Sequence, residues 1–197
     1  LRMVFQRLTE YGLRVKPSKC LLGVSKLTFL GHEITPNGIL PSPDKVKAII
    51  DFPKPTTIKK VQKFLGMIIY YHRFVPSLAK ILTPIHDDLA ISVNSAKSNK
   101  VFTWSSQSEQ AFPSAKKALA NATLLTFPRE DAPITLYTDA SDKHVGAVLQ
   151  QGTAPSYEPL AFFSKKLTPT QSRYSAFDRE LLSIYLAIKH FLSLIHI

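Results

Sequence analysis

The chain has 197 residues, 45% of them hydrophobic, and carries 25 Lys and Arg against 14 Asp and Glu, a net charge of +11. That length fills one ordinary core or two small ones. No run of about 18 apolar residues exists to span a bilayer, and Arg2, Gln6, Arg7 and Glu10 interrupt any secretory leader at the start.

The charge is uneven. Residues 1–60 hold 11 Lys and Arg against 4 Asp and Glu, or +7, while residues 61–197 hold 14 against 10, or +4. A basic first third favours a polyanion, most commonly nucleic acid, although a merely soluble basic surface accounts for charge alone equally well. The single cysteine, Cys20, excludes an internal disulfide and a cysteine zinc site. It points to a reducing, intracellular setting, with cytoplasm and nucleus both open. Its neighbour Leu21 suggests a buried or half-buried strand position, and its role is expected to be structural.

Val4, Phe5 and Leu8 stand at helical spacing with no capping residue before them, so the chain is expected to begin inside a helix that stops at Gly12. Leu27–Ile34 predicts a strand. Thr35-Pro36-Asn37-Gly38 is a turn signal, and Ile39-Leu40 returns as a second strand to make a hairpin. Ser42-Pro43-Asp44 combines a cap, a first-turn proline and a first-turn acid, so a helix carrying Val46, Ile49 and Ile50 follows. Thr56 or Thr57 caps the next helix, whose stripe is Ile58, Val61, Phe64, Leu65 and Ile68, with Lys59, Lys60 and Lys63 off it. Pro76 opens a third helix with Leu78, Ile81 and Leu82. Residues 91–101 are polar and predict a linker.

A second unit follows. Ser106 and Glu109 suggest a capping box before Phe112, Ala115 and Leu119, and Pro113 predicts a late start or a kink. Ile134–Tyr137, Val145–Gln150 and Tyr157–Ser164 predict three strands. A long helix then carries Phe177, Leu181, Ile184, Tyr185, Ile188 and Phe191 as its apolar stripe.

Asp139 ends the first of these strands, and a carboxylate there is costly to bury without a partner. Glu180 falls at the edge of the long helix's stripe. If the helix packs on the sheet, the two acids can approach. Paired carboxylates of this kind bind a hard cation such as Mg2+ and support phosphodiester hydrolysis. The residues alone leave a plainer alternative open, in which Asp139 caps the turn at Ala140–Ser141 and Glu180 pairs with Arg179 or Lys189.

Several motifs resemble a known family. Phe29-Leu30-Gly31-His32-Glu33-Ile34, followed by Gly38-Ile39, resembles the primer-grip hairpin of gypsy-type LTR retrotransposon reverse transcriptases. Phe64-Leu65-Gly66 with Tyr70-Tyr71-His72-Arg73-Phe74 resembles the family's thumb, with His72 standing where Arg is usual. Trp104 with Ala111-Phe112, Thr138-Asp139-Ala140-Ser141, Gly146-Ala147-Val148-Leu149, Ser164-Lys165-Lys166-Leu167-Thr168 and Tyr174-Ser175 with Glu180-Leu181-Leu182 resemble its ribonuclease H domain.

The resemblance implies an α+β chain in four parts. Residues 1–42 would be the end of a reverse-transcriptase palm, 43–90 a helical thumb and 91–103 a linker. Residues 104–197 would be a truncated ribonuclease H-like α/β domain with a mixed sheet. It implies Asp139 and Glu180 as catalytic, Mg2+-binding acids. It also implies that Gly31, His32, Lys59, Lys60, Lys63 and Arg73 lie near an RNA–DNA hybrid or template–primer duplex. A solvated helix face remains the plainer account of the lysines. The family's Tyr-X-Asp-Asp motif is absent, and Asp87-Asp88 is the only Asp-Asp pair; its context gives it no catalytic role. The third acid of the ribonuclease H site, usually in Thr-Asp-His, does not occur before Ile197, and Leu192–Ile197 departs from the family pattern. The expectation is a Pol fragment, inactive by itself, with residues 102–197 marginally stable alone. A catalysis-free binding module and a remnant of a decayed element are the alternatives.

Overall fold

In the computed structural model, residues 1–95 and 101–195 are described. The first helix, α1 (Arg2–Glu10), ends as its glycine predicts. Gly12 takes φ +68°, its N–H reaches Thr9 O, and Leu13 N–H reaches Leu8 O, which closes the last turn with a glycine cap. No residue of α1 is buried. Cys20 is half-buried, but it follows a 3-10 turn (Pro17–Lys19) instead of lying in a strand, with its thiol donating to Lys16 O at 3.3 Å.

The predicted strand over 27–34 is two strands. β1 (Leu27–Phe29), β2 (His32–Thr35) and β3 (Gly38–Pro41) form an antiparallel meander. A tight turn at Leu30-Gly31 divides the first pair, with φ +46° and +76°. Two successive positive φ angles match the twist of flanking strands, which is why such turns join hairpins. The sequence does not announce this turn, because leucine rarely adopts that conformation.

Three helices follow: α2 (Pro43–Ile50), α3 (Ile58–Ile69) and α4 (Leu78–Ser95), the last starting two residues after the proline expected to open it. The Thr57 hydroxyl accepts from Lys60 N–H and so caps α3. α4 runs through Ser95, so the first residues of the expected linker are helical; residues 96–100 of it lie outside the described residues. Beyond it, Phe102 is buried and donates to Thr56 O at 3.0 Å, and Trp104 Nε1 donates to Pro55 O at 2.8 Å. α5 (Ser106–Ala120) starts one residue earlier than predicted. Its capping box joins Ser105 to Ser108, and Pro113 sits inside the helix. One core then joins Ile49 of α2, Val61, Phe64, Leu65 and Ile68 of α3, Leu78, Leu82 and Ile85 of α4, and Ala111, Phe112, Ala115 and Leu119 of α5. Lys116 secures this packing by donating to Ile50 O and Phe52 O at the C-terminal end of α2.

The second sheet comprises β4 (Ile134–Ala140), β5 (His144–Gln151) and β6 (Glu158–Lys166), in that order. Every pairing in it is antiparallel among the described residues, where a mixed sheet was expected. Successive strands joined by short turns can pair only this way, because a parallel pair needs a long crossover. α6 (Ala176–Ile195) packs on one face, with Ala187 and Phe191 against Leu149, Leu160 and Ala161. The predicted stripe is thereby corrected. Phe177, Leu181, Ile184, Tyr185 and Ile188 are exposed, and Ser183 and Ala187 join Phe191 on the buried side. The sheet's other face meets the helices: Ser164 Oγ accepts from Ala79 N–H at the start of α4, and Phe162 packs on the helical core. No described helix is long and apolar enough to cross a membrane.

Candidate nucleic-acid interface and acid pair

The apolar residues of α3 fix which side faces out. With Val61, Phe64, Leu65 and Ile68 inward, Lys59, Lys63, Gly66 and Tyr70 fall in a line along the opposite side, spaced four, three and four residues apart. All four are exposed, and Lys60 is exposed on the flank. A methyl group added at Gly66 would meet nothing within 4 Å, so this glycine leaves a gap in the ridge without serving any internal packing.

The ridge ends at the Leu30-Gly31 turn. The Tyr70 hydroxyl donates to Leu30 O at 2.7 Å, and the Tyr71 hydroxyl to Gly31 O at 3.1 Å. Ser42 N–H also donates to Gly31 O, at 2.8 Å. Gly31 has no room for a side chain, since a Cβ would stand 2.8 Å from the Tyr71 hydroxyl. His32 is half-buried in an aromatic cluster, its ring centre 5.4 Å from Phe74, 5.5 Å from Tyr70 and 5.6 Å from Tyr71. Burial lowers its pKa, and the Arg73 charge adds to this against the opposing pull of the Leu30 and Phe29 carbonyls. Arg73 is set back from the lysines. It is half-buried against the Phe74 ring, its Nε lacks a hydrogen-bond partner, and desolvation lowers its pKa. Of the residues expected near nucleic acid, Gly31 and His32 thus meet Tyr70 at the end of the ridge that Lys59 and Lys63 begin.

Asp139 and Glu180 are both exposed. The Ser183 hydroxyl donates to the main-chain carbonyl of Asp139 at 3.2 Å, so the turn of α6 that begins at Glu180 lies alongside this position of β4. Strand alternation sets the side chain of Asp139 opposite to that of Leu136, which faces α6. Asp139 lines a cleft of about 230 Å3 with Pro76, Ser77, Tyr137, Gly146 and Phe162, on the side toward the helices. Arg179, a candidate partner for Glu180, instead pairs with Asp142 at 2.8 Å. No group of three or more acids, histidines or cysteines that could hold a metal exists among the described residues. Mg2+ commonly takes one or two carboxylates, with water and substrate oxygens completing its octahedral shell, so Asp139 and Glu180 would need such oxygens beside them to hold it.

Between α4 and the second sheet lies a cavity of about 590 Å3, lined by His72, His86, His190, Leu82, Phe163 and Lys166, among others. His190 stacks on Phe163 at 4.5 Å and meets the edge of His72. Burial is the leading cause that lowers the pKa of His86 and of His190. At the same seam His144 Nε2 stands 2.7 Å from the Thr83 hydroxyl, and its pKa is lowered by burial and then by nearby lysines. The Asp-Asp pair is structural: Asp87 pairs with Lys166, and Asp88 accepts from Ser105 N–H.

Sequence reasoning missed the hydroxyl contacts of Tyr70 and Tyr71 and the open position of Gly66. The gap was readable, since Gly66 lies between Lys63 and Tyr70 on the polar side of a clear stripe. The contacts were not, because they join residues 40 positions apart.

Residues 104–197 match the model of an RNase H-like domain found in reverse transcriptase. The chain is 36% identical over 191 residues to the retrovirus-related Pol polyprotein from transposon 297 of Drosophila melanogaster, covering 97% of this chain and 17% of the relative. It is 35% identical to the Pol polyprotein from transposon opus of the same fly, covering 93% of this chain and 19% of the relative. A Tf2-3 transposon polyprotein of Schizosaccharomyces pombe is 29% identical, covering 95% of this chain and 14% of the relative. The chain therefore spans less than a fifth of the length of these relatives. Among solved structures it resembles the foamy viral protease-reverse transcriptase in complex with an RNA/DNA hybrid, with TM-score 0.79 and 24% identity over 96% of this chain and 25% of that one. It also resembles the same protein in complex with dsDNA, with TM-score 0.77 and 25% identity over 98% of this chain and 39% of that one. The chain belongs to the Pol polyproteins of LTR-type retrotransposons and carries, at residues 104–197, an RNase H-like domain of the reverse-transcriptase kind.

Proposed function

We propose that this chain is the duplex-gripping part of a Pol polyprotein acting on RNA–DNA hybrids. In this reading residues 1–42 end the polymerase palm and 43–90 form the thumb. The carrying observation is the continuous exposed line of Lys59, Lys63, Gly66 and Tyr70 that runs into the Leu30-Gly31 turn. Lysines supply phosphate contacts, and the missing side chain at Gly66 lets a groove wall approach the helix. The foamy viral protein of the same fold, in complex with a hybrid and with dsDNA, supports the assignment.

Asp139 and Glu180 are proposed as the first two acids of a ribonuclease H site that needs further acids. When complete, such a site holds Mg2+, which would activate water and stabilise the phosphodiester in hydrolysis. In this reading Asp139 and Glu180 contribute negative charge beside β4, and the chain binds without cutting. The test is fluorescence anisotropy with a labelled RNA–DNA hybrid across a salt series. Binding should weaken linearly in log salt, and Lys59→Ala or Lys63→Ala should each reduce the slope by about 1. A slope untouched by either substitution would place the interface elsewhere. Cleavage of the hybrid in Mg2+ that disappears in Asp139→Asn would overturn the binding-only reading.

A further inference from the structure

We propose that Tyr70 and Tyr71 are positioning residues that hold the Leu30-Gly31 turn in its strained form and thereby aim the Gly31 N–H at a phosphate of the bound duplex; this rests on the function proposed above. The two hydroxyls donate to successive carbonyls of the turn, at 2.7 Å and 3.1 Å. Carbonyl and N–H of one trans peptide point in opposite directions. Fixing Leu30 O toward α3 therefore turns Gly31 N–H away from the helix. Leu30 is exposed and holds φ +46°, a conformation leucine disfavours, so its own preference works against this turn. Something outside the turn must maintain it; besides Ser42 N–H on Gly31 O, the groups that reach it are the tyrosine hydroxyls, from α3 and its C-terminal end. Tyr71 is buried at the junction and Tyr70 lies on the ridge, so the pair ties the position of the turn to the helix that carries Lys59 and Lys63.

The experiment compares Tyr70→Phe/Tyr71→Phe in the natural background and in a Leu30→Asn background, using the full chain and a labelled RNA–DNA hybrid. Phenylalanine keeps both rings, so packing survives. Asparagine tolerates the left-handed conformation and, ahead of glycine, makes the turn self-sustaining. The double Phe variant should weaken binding about five- to tenfold in the natural background, as expected for two modest hydrogen bonds. In the Leu30→Asn background the same change should weaken binding less than about twofold. Hydrogen exchange should quicken across residues 27–41 and stay unchanged across β4–β6. A purely structural role for the hydroxyls would not be rescued at Leu30. An equal loss in both backgrounds, or no loss with unchanged exchange, overturns the proposal. If the natural chain binds no hybrid, the proposed function fails, and the exchange comparison alone decides whether the tyrosines hold the turn.

Discussion

Alanine at Gly38 should cost a large share of the stability of the helical core. Gly38 takes φ +143°, and a Cβ there would stand 2.2 Å from the main-chain oxygen of Leu125. The obstacle is backbone, so no rotamer relieves it. That oxygen accepts from Ile39 N–H at 2.7 Å, and Leu125 N–H returns a bond to Ile39 O at 3.0 Å. Moving the segments apart forfeits both bonds, about 1 kcal/mol each, and the conformation adds about 1–3 kcal/mol of strain. Leu125 is fully buried and must shift with its backbone. The total is about 4 kcal/mol, against the roughly 5–15 kcal/mol that holds a typical domain together. Urea denaturation followed by circular dichroism measures it. Gly12→Ala serves as the control, because Gly12 also has positive φ but faces open space at the end of a helix with nothing buried. A loss below about 1 kcal/mol at Gly38, or equal losses at both sites, would refute the reasoning.

Gly66→Ala separates fold from function: it should stabilise the chain by about 0.5–1 kcal/mol in thermal melts while weakening hybrid binding several-fold, and unchanged binding would remove Gly66 from the interface. Gln151→Leu should cost about 2–4 kcal/mol in urea titration, because the buried amide accepts from Arg129 N–H and donates to Phe127 O and Glu158; a neutral result would mean that water replaces it. Acid should destabilise the chain. His32, His86, His144 and His190 all have pKa values lowered in the fold, so the unfolded chain binds protons first. Their stabilisation is complete above the unfolded value of about 6.5 and is lost as pH falls from there toward the folded values. The melting temperature should drop between about pH 7 and about pH 5, and a flat or rising profile would contradict this. Hydrogen exchange should show β4–β6 and α6 opening before α2–α5, and uniform protection would count against two unequal cores.

Where local chemistry decides an element, the sequence was readable. Ser42-Pro43-Asp44 starts α2, Thr57 caps α3, and Val61, Phe64, Leu65 and Ile68 are all buried as their spacing requires. Reading failed where distant contacts decide. α6 is apolar around most of its circumference, so spacing could not tell which side faces the sheet. Small Ser183 and Ala187 won the inner position because they let the helix approach β4 closely, and the larger side chains were turned outward. The turn at Leu30 carries no local signal, since the groups that bond its carbonyls, Tyr70, Tyr71 and Ser42, lie elsewhere in the chain. The site divides the same way. The exposure of Lys59 and Lys63 was legible from the stripe of α3, whereas the facing of Asp139 depends on strand register.

The two cores differ in a way that bears on chemistry. The helical core buries a continuous set of aromatic and aliphatic side chains from four helices, and its ring contacts include Phe64 on Phe112 at 4.5 Å and Trp104 on Phe112 at 5.4 Å. The sheet core rests on Leu149, Leu160, Ala161, Ala187 and Phe191, and α6 leaves Phe177, Leu181, Ile184, Tyr185, Ile188 and Leu192 exposed. Gripping a duplex asks for a rigid ridge, and the ridge of α3 stands on the larger core. Cutting one asks for carboxylates held to within about half an ångström. Asp139 and Glu180 belong to the smaller core, on a strand and a helix whose outer apolar face is uncovered. The ridge of α3 and the strand and helix that carry Asp139 and Glu180 thus stand on different cores.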